Sequence, residues 1–353
     1  MSRSSARDAR DNPTDQVTDK EFPVRDSGDL DNYENDQLID FYTSMLYVRR
    51  FEERVAEMYL RAKIGGYCHL NIGEEATVVG TLKALRKEDY FFGSYRVHGS
   101  AIVRELPHGT VMAELFGKRD GCAKGRGGSM HLVDPERRFM GGYGIVGGSI
   151  PLSTGVSFAI KYRGTNEIVM STFGDGATNI GAFHEALNIA SLWKLPNLFI
   201  CTNNQYGMGT SVARASAVTE LWKKGVAYDI PGYKVNGMDV LAVYQLTKKL
   251  VEEVRRTSEP IFVECVTYRY RGHSMADAGK NYRTADEIDE WRERDPVESF
   301  RLRLLEGEIF TQKDADDIEE AVLAKVQTAV DFAERSPFPD VAELEKFVYA
   351  EDA

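Results

Sequence analysis

Cysteine is scarce in this 353-residue chain: four residues, Cys68, Cys122, Cys201 and Cys265, lie far apart with no Cys-x-x-Cys pair. That excludes a disulfide-stapled secreted scaffold and fits reduced thiols in a cytoplasmic protein. Long apolar runs are missing as well. None approaches the ~18 residues of a membrane span, so no membrane role is read from the sequence. Positive charge is in deficit, with Lys+Arg 44 against Asp+Glu 55 and a net charge of −11, which argues against a general nucleic-acid binder. Residues 1–36 lack the apolar segment of a secretory leader. Ser and Arg near the start hint at an organellar transit peptide, but Asp8, Asp11, Asp15, Asp19 and Glu21 count against it. A polar, mobile tail is expected there.

The chain as a whole is 42% hydrophobic, ample for a core, and the part beyond the tail is patterned. Residues 38–63 predict an amphipathic helix with Leu38, Phe41, Tyr42, Met45 and Leu46 on one face. Gly65-Gly66 ends it. A second helix is expected from about Glu74 to Arg86, a strand at Tyr90-Phe91-Phe92, and a long glycine-rich basic loop over 117–148. Another helix should start near Ser149-Ile150-Pro151, where proline suits the first turn. A strand follows at 261–268, a polar loop at 272–283, then a helical end in which Ile318, Val322, Val326 and Val330 recur every four residues. No internal repeat is visible. The alternation predicts a doubly wound α/β domain with a mostly parallel sheet and helical N- and C-terminal additions. Its expected span is 37–335, with 336–353 as a C-terminal extension.

Within that frame two strings stand out. Gly174-Asp175-Gly176 follows the apolar run 168–173, and Asn203-Asn204 follows Leu198-Phe199-Ile200-Cys201. Between them Ile180, Phe183, Leu187 and Ala190 have helical spacing, widened by Ala186, Ile189 and Trp193. Strand, helix, strand predicts a right-handed crossover between parallel strands. Both carboxyl ends then lie at one edge, where α/β proteins hold ligands. A carboxylate and an amide oxygen suit magnesium, which commonly takes few side chains plus substrate phosphates. Gly176-Ala177 is expected to open the following helix and to turn free N–H groups toward that ion. A magnesium-bridged diphosphate satisfies these features together.

Gly-Asp-Gly, a stretch of under thirty residues, then Asn-Asn resembles the thiamine diphosphate motif. The likeness extends over roughly 38–335. Segments 204–211, 94–99 (Ser-Tyr-Arg-Val-His-Gly), 127–131 (Gly-Gly-Ser-Met-His), 144–147 and 268–275 (Tyr-Arg-Tyr-Arg-Gly-His-Ser-Met) resemble, in order, the alpha subunits of the heterotetrameric pyruvate dehydrogenase component. The resemblance implies Asp175, Asn204 and the backbone carbonyl of Tyr206 as magnesium ligands. It implies Tyr95 and Arg96 on the diphosphate, where phenol and guanidinium can donate. Gly176 and Ala177 join them, and backbone groups of Gly144 and Val146 meet the aminopyrimidine. His69, His273 and Arg269 fall near the reacting carbon, with both histidines also touching the cofactor. His98, His108, His131 and His184 are read as structural or interface residues.

Gly142-Tyr143-Gly144-Ile145-Val146-Gly147 also spells Gly-x-Gly-x-x-Gly, but the preceding 134–138 is no buried strand, so a nicotinamide site is the weaker reading. A non-catalytic paralogue is disfavoured by intact Asp175, Asn204, Arg269 and His273. The family pattern implies oxidative decarboxylation of a 2-oxo acid and transfer of the acyl fragment to a lipoyl group on a dihydrolipoyl acyltransferase. No segment resembles the half of the site that carries the ring-tuning glutamate, so a beta subunit is expected, in a two-alpha, two-beta assembly. The 268–275 string favours pyruvate over branched-chain 2-oxo acids; acetoin-cleaving relatives share most of the scaffold. Residues 276–281 depart from the usual Ser-Asp-Pro stretch. Ser274 matches a phosphorylated position of mitochondrial relatives, whereas the later serine is Asn281 here.

Overall fold

A computed structural model describes residues 30–346 and 349. The expected tail therefore falls outside the described residues as far as position 29. Helices α1 (Asn35–Leu60) and α2 (Glu75–Leu82) lead into strand β1 (Tyr90–Phe92), followed by α3 (His98–Val103) and α4 (His108–Leu115). Then come α5 (Ser149–Arg163), β2 (Val169–Gly174), α6 (Gly181–Leu192) and β3 (Asn197–Asn203). A small hairpin, β4 (Tyr206–Gly207) and β5 (Thr210–Ser211), precedes α7 (Val212–Ala215), β6 (Gly232–Asn236), α8 (Val240–Thr257) and β7 (Ile261–Val266). Helices α9 (Ala285–Arg292), α10 (Pro296–Glu306) and α11 (Gln312–Arg335) follow.

Five strands form one sheet in the order β1-β2-β3-β7-β6, and every pair is parallel. The predicted β2–α6–β3 unit is present, with its strands adjacent. Side chains alternate across the sheet as the pleat requires. Leu198 and Ile200 join the large core with α1, α2 and α8. Phe199 and Cys201 instead join Phe183, Ala186, Leu187 and Ala190 of α6. Each such buried Leu or Phe contributes about 1.5–3 kcal/mol. Local signals fix the helix ends: the Asp239 side chain caps α8 by accepting from Leu241 and Ala242 N–H. Thr311 and Asp314 form a reciprocal capping box at α11.

One expectation fails. Gly176-Ala177 does not open α6: Asp175–Asn179 is a short 3-10 turn, Ile180 returns to extended backbone, and α6 starts at Gly181. A tight turn lets the chain leave the strand tip before the amphipathic helix finds its packing face. The free N–H groups beside Asp175 therefore belong to one turn, without the dipole of a long helix behind them.

Candidate active site

The sheet register brings the two strings together. Gly174 is opposite Thr202, and Asn203 is opposite Val266, so Asp175 and Asn204 leave neighbouring strands at the same edge. Both are buried, and both line one cavity of about 260 Å³. Tyr95, Arg96, Val146, Gly176, Ala177, Tyr206 and Arg269 line it too. Two glycines let the loops approach. A Cβ built on Gly176 meets only the Gly207 Cα, at 3.7 Å, and one on Gly207 lies 3.6 Å from Asp175 Oδ2.

The donor set suits an oxygen-seeking divalent ion. Burial, reinforced by Glu74 and Glu264, pushes the Asp175 carboxyl up to about 6 against its own backbone hydrogen bond and the Arg269 charge. A bound cation would favour the ionised form. Asn204 Nδ2 donates to Glu74 Oε1 at 2.7 Å, which leaves its Oδ1 on the other side, 3.4 Å from the Tyr206 N–H. The Tyr206 carbonyl accepts from Arg269 at 3.1 Å and retains a second lone pair. Among the described residues no group of three His, Cys, Asp or Glu is placed to hold a metal ion. One carboxylate, one amide oxygen and one carbonyl stand at this edge, and oxygen donors of these kinds fit magnesium.

Three rings converge beside the cavity: His69 lies 4.5 Å from Tyr95 and 5.0 Å from His273, and Tyr95 is 5.6 Å from His273, between ring centroids. Burial, then the Arg96 charge, pushes His69 down to about 2; burial, Arg96 and Arg269 push His273 down to about 4. Both are neutral near pH 7, each with one donor and one acceptor nitrogen. Each Nδ1 is buried without a partner among the described residues.

Both arginines are partly engaged by backbone. Arg96 donates to Leu70 O at 2.6 Å and to His273 O at 2.8 Å, tying the two histidine loops together. Arg269 donates to the carbonyls of Tyr206 and Met208 and to the Tyr282 hydroxyl. Gly144 stands away from the cavity wall; a Cβ there would meet His131 Nε2 at 3.2 Å. In the 276–281 segment Asp277 accepts from the N–H groups of His273 and Gly279 and from the Tyr282 hydroxyl. Ser274 is buried.

Sequence reasoning missed a buried polar chain behind the site. Ser129 Oγ lies 2.9 Å from His98 Nε2, and His98 Nδ1 lies 2.9 Å from Glu52 Oε2. Glu52 Oε1 accepts the Asn71 N–H, and Asn71 Nδ2 donates to Glu74 Oε2 at 2.9 Å. Glu74 reads in sequence as an acid at a helix start. Nothing in local spacing pairs it with Asn204, 130 positions away.

Residues 43–342 match the family described as dehydrogenase E1 component. The chain belongs to that family. The match begins within α1 and takes in every strand of the sheet and all residues of the site. Similar proteins carry the name pyruvate dehydrogenase E1 component subunit alpha. That of Rickettsia bellii is 45% identical over 314 residues, covering 89% of this chain and 96% of the relative. The Rhizobium meliloti protein is 45% identical over 318 residues, 90% and 91% of the two chains. The human testis-specific mitochondrial form is 44% identical over 316 residues, 89% and 80%. Among the described residues, no helix of this E1 chain is long and apolar enough to cross a membrane.

Proposed function

We propose that this chain is the alpha subunit of a pyruvate dehydrogenase E1 component and holds thiamine diphosphate through Mg2+ at the tips of β2 and β3. The convergence of Asp175 and Asn204 in one buried cavity carries the reading. Asp175, Asn204 Oδ1 and the Tyr206 carbonyl hold the ion, while Tyr95 and Arg96 face the diphosphate together with Gly176 and Ala177. Val146, on the cavity wall, supplies backbone near the ring, and Gly144 behind it shapes that loop against His131. Bound there, the cofactor supplies the electron sink for loss of carbon dioxide from a 2-oxo acid. Neutral His69 and His273 offer one donor and one acceptor each beside that centre, and Arg269 holds the 206–208 backbone in place. Relatives named for pyruvate support that substrate over branched-chain 2-oxo acids or acetoin. Their designation as subunit alpha supports a beta partner, which we place in a two-alpha, two-beta assembly that passes acetyl to the lipoyl group of an acyltransferase. We assign the assembly to the cytoplasm.

Co-expression with a beta chain tests this. The complex should decarboxylate pyruvate in preference to 3-methyl-2-oxobutanoate and acetoin when given thiamine diphosphate and Mg2+. Asp175→Ala should abolish divalent-dependent coenzyme binding. Unchanged coenzyme affinity in that variant would overturn the reading.

A further inference from the structure

The amide of Asn204 can present either its oxygen or its NH2 group to the cavity, and the two ends are nearly equal in size. Glu74 makes the shorter contact that decides between them, at 2.7 Å from Nδ2, and the Tyr206 N–H, 3.4 Å from Oδ1, favours the same end. The Glu74 carboxylate accepts from two amides at once: Asn204 Nδ2 on Oε1 at 2.7 Å and Asn71 Nδ2 on Oε2 at 2.9 Å. Asn71 cannot turn over, because its Oδ1 accepts the Gly99 N–H at 3.1 Å. Its own N–H is held by Glu52 at 3.0 Å. All these groups are buried: Asn71 is 1% exposed and Glu74 2%. Water therefore has little opportunity to repair a mismatch, and a buried donor facing a donor is costly.

We propose that Glu74, locked by Asn71, is a positioning residue that fixes the Asn204 amide with its oxygen toward the divalent ion. The inference rests on the cofactor reading above and adds the device that sets ligand polarity. A carboxylate is required because both neighbours are donors. A glutamine at 74 has one acceptor and one donor end. Since Asn71 is locked as a donor, the glutamine oxygen turns to Asn71 and its NH2 faces Asn204. The Asn204 amide then flips and presents NH2 to the ion. Moving the acid one position along the chain of contacts repairs this. Aspartate at 71 accepts from Gly99 N–H and from a glutamine NH2 at 74, whose oxygen again accepts from Asn204. The swap keeps one negative charge in the pair; it gives up the long 3.5 Å contact from Asn71 to the Arg96 carbonyl and the 3.7 Å ion pair between Arg96 and Glu74.

The test is Mn2+ binding, read by electron paramagnetic resonance on the co-purified alpha–beta complex with thiamine diphosphate present. Glu74→Gln should weaken Mn2+ by about 10–100-fold, the usual cost of losing a group that orients a metal ligand. The double variant N71D/E74Q should restore wild-type affinity. Equal Mn2+ affinity in wild type and E74Q overturns the proposal, as does a double variant that binds no better than E74Q. If E74Q does not assemble, the double variant alone decides: wild-type affinity supports the proposal and lost affinity overturns it. Failure of the wild-type complex to bind Mn2+ would instead sink the cofactor reading itself.

Discussion

The carboxylate of Glu114 accepts the backbone N–H of Gly127 at 2.7 Å, and the same side chain also takes the N–H groups of Ala123, Gly125 and Gly128. Glu114 is fully buried on α4, so the glycine-rich loop is wrapped around an acid that the core holds still. The loop leads directly to Ser129, the first member of the polar chain that ends at Asn204. Glycine at 125 and 127 is needed for this wrapping: a Cβ at either would fall within 2.7 Å of backbone atoms.

Glu114→Gln should therefore loosen the loop. One end of the amide would present N–H groups to N–H groups, and bonds to a charged acceptor contribute about 1.5–3 kcal/mol each. A loss of about 3 kcal/mol in urea melts is expected, with faster tryptic cleavage after Lys124 and Arg126. Unchanged cleavage and stability would show that the loop is held by something else.

Arg269 is a second brace, 1% exposed, whose fork reaches Tyr206 O at 3.1 Å and Met208 O at 3.0 Å. Lysine has no planar fork and cannot serve both carbonyls and Tyr282 together. Arg269→Lys should cost about 1–3 kcal/mol for acceptors left unpaired and weaken coenzyme binding about tenfold. Calorimetric melts and coenzyme titration of the same preparation check both. A stable variant with wild-type coenzyme affinity would remove Arg269 from the site.

The histidine pair gives a pH dependence of definite sign. Both native rings lie below the ordinary 6.5, His273 at about 4 and His69 at about 2. The unfolded chain therefore takes up protons first, and stability is fullest above pH 6.5. It is lost as pH falls from 6.5 through about 4 for His273 and on toward about 2 for His69. Asp175, raised to about 6, acts in the opposite direction: its native state binds the extra proton between 3.8 and 6. His69→Gln should flatten the fall in melting temperature between pH 6.5 and 5. Nitrogen-15 spectra of wild type should show two neutral imidazoles at pH 6; a protonated ring at either position would refute the assignment.

The strand tips were legible because they rest on local pattern: apolar runs before Asp175 and Asn204, and a helical period between them. That pattern also implies parallel pairing, and the β2–β3 register delivers it. The bounds were looser, since β3 runs Asn197–Asn203 and its polar ends are held by distant partners, Asn197 by Ser153 and Asn203 by Glu264. Helix α8 carries a full apolar period from Val240 to Val254 behind an Asp239 cap, a signal that would have located it. Strand β6 gives little warning: Gly-Tyr-Lys-Val-Asn is a short edge strand with one buried side chain. Glu74, Asn71, His98 and Ser129 could not be assembled from sequence, because buried hydrogen bonds between distant segments leave no periodic trace.

Two glycines separate effects on folding from effects on binding. Gly147 has φ +70°, and a Cβ there would fall 2.1 Å from Ile180 Cδ1, so Gly147→Ala must both strain the backbone and displace a neighbour. Its melting temperature should drop, with a cost of about 1–3 kcal/mol from the left-handed backbone and the overpacking. Gly176 has neither problem: its φ is ordinary, and an added Cβ meets only the Gly207 Cα at 3.7 Å. Gly176→Ala should melt like wild type yet bind thiamine diphosphate more weakly, because the methyl group occupies space at the cavity wall beside Asp175. Titration of the assembled complex at constant Mg2+ reads the difference. Wild-type affinity in Gly176→Ala would mean that the coenzyme diphosphate does not approach this turn, and would move the binding site away from the tip of β2.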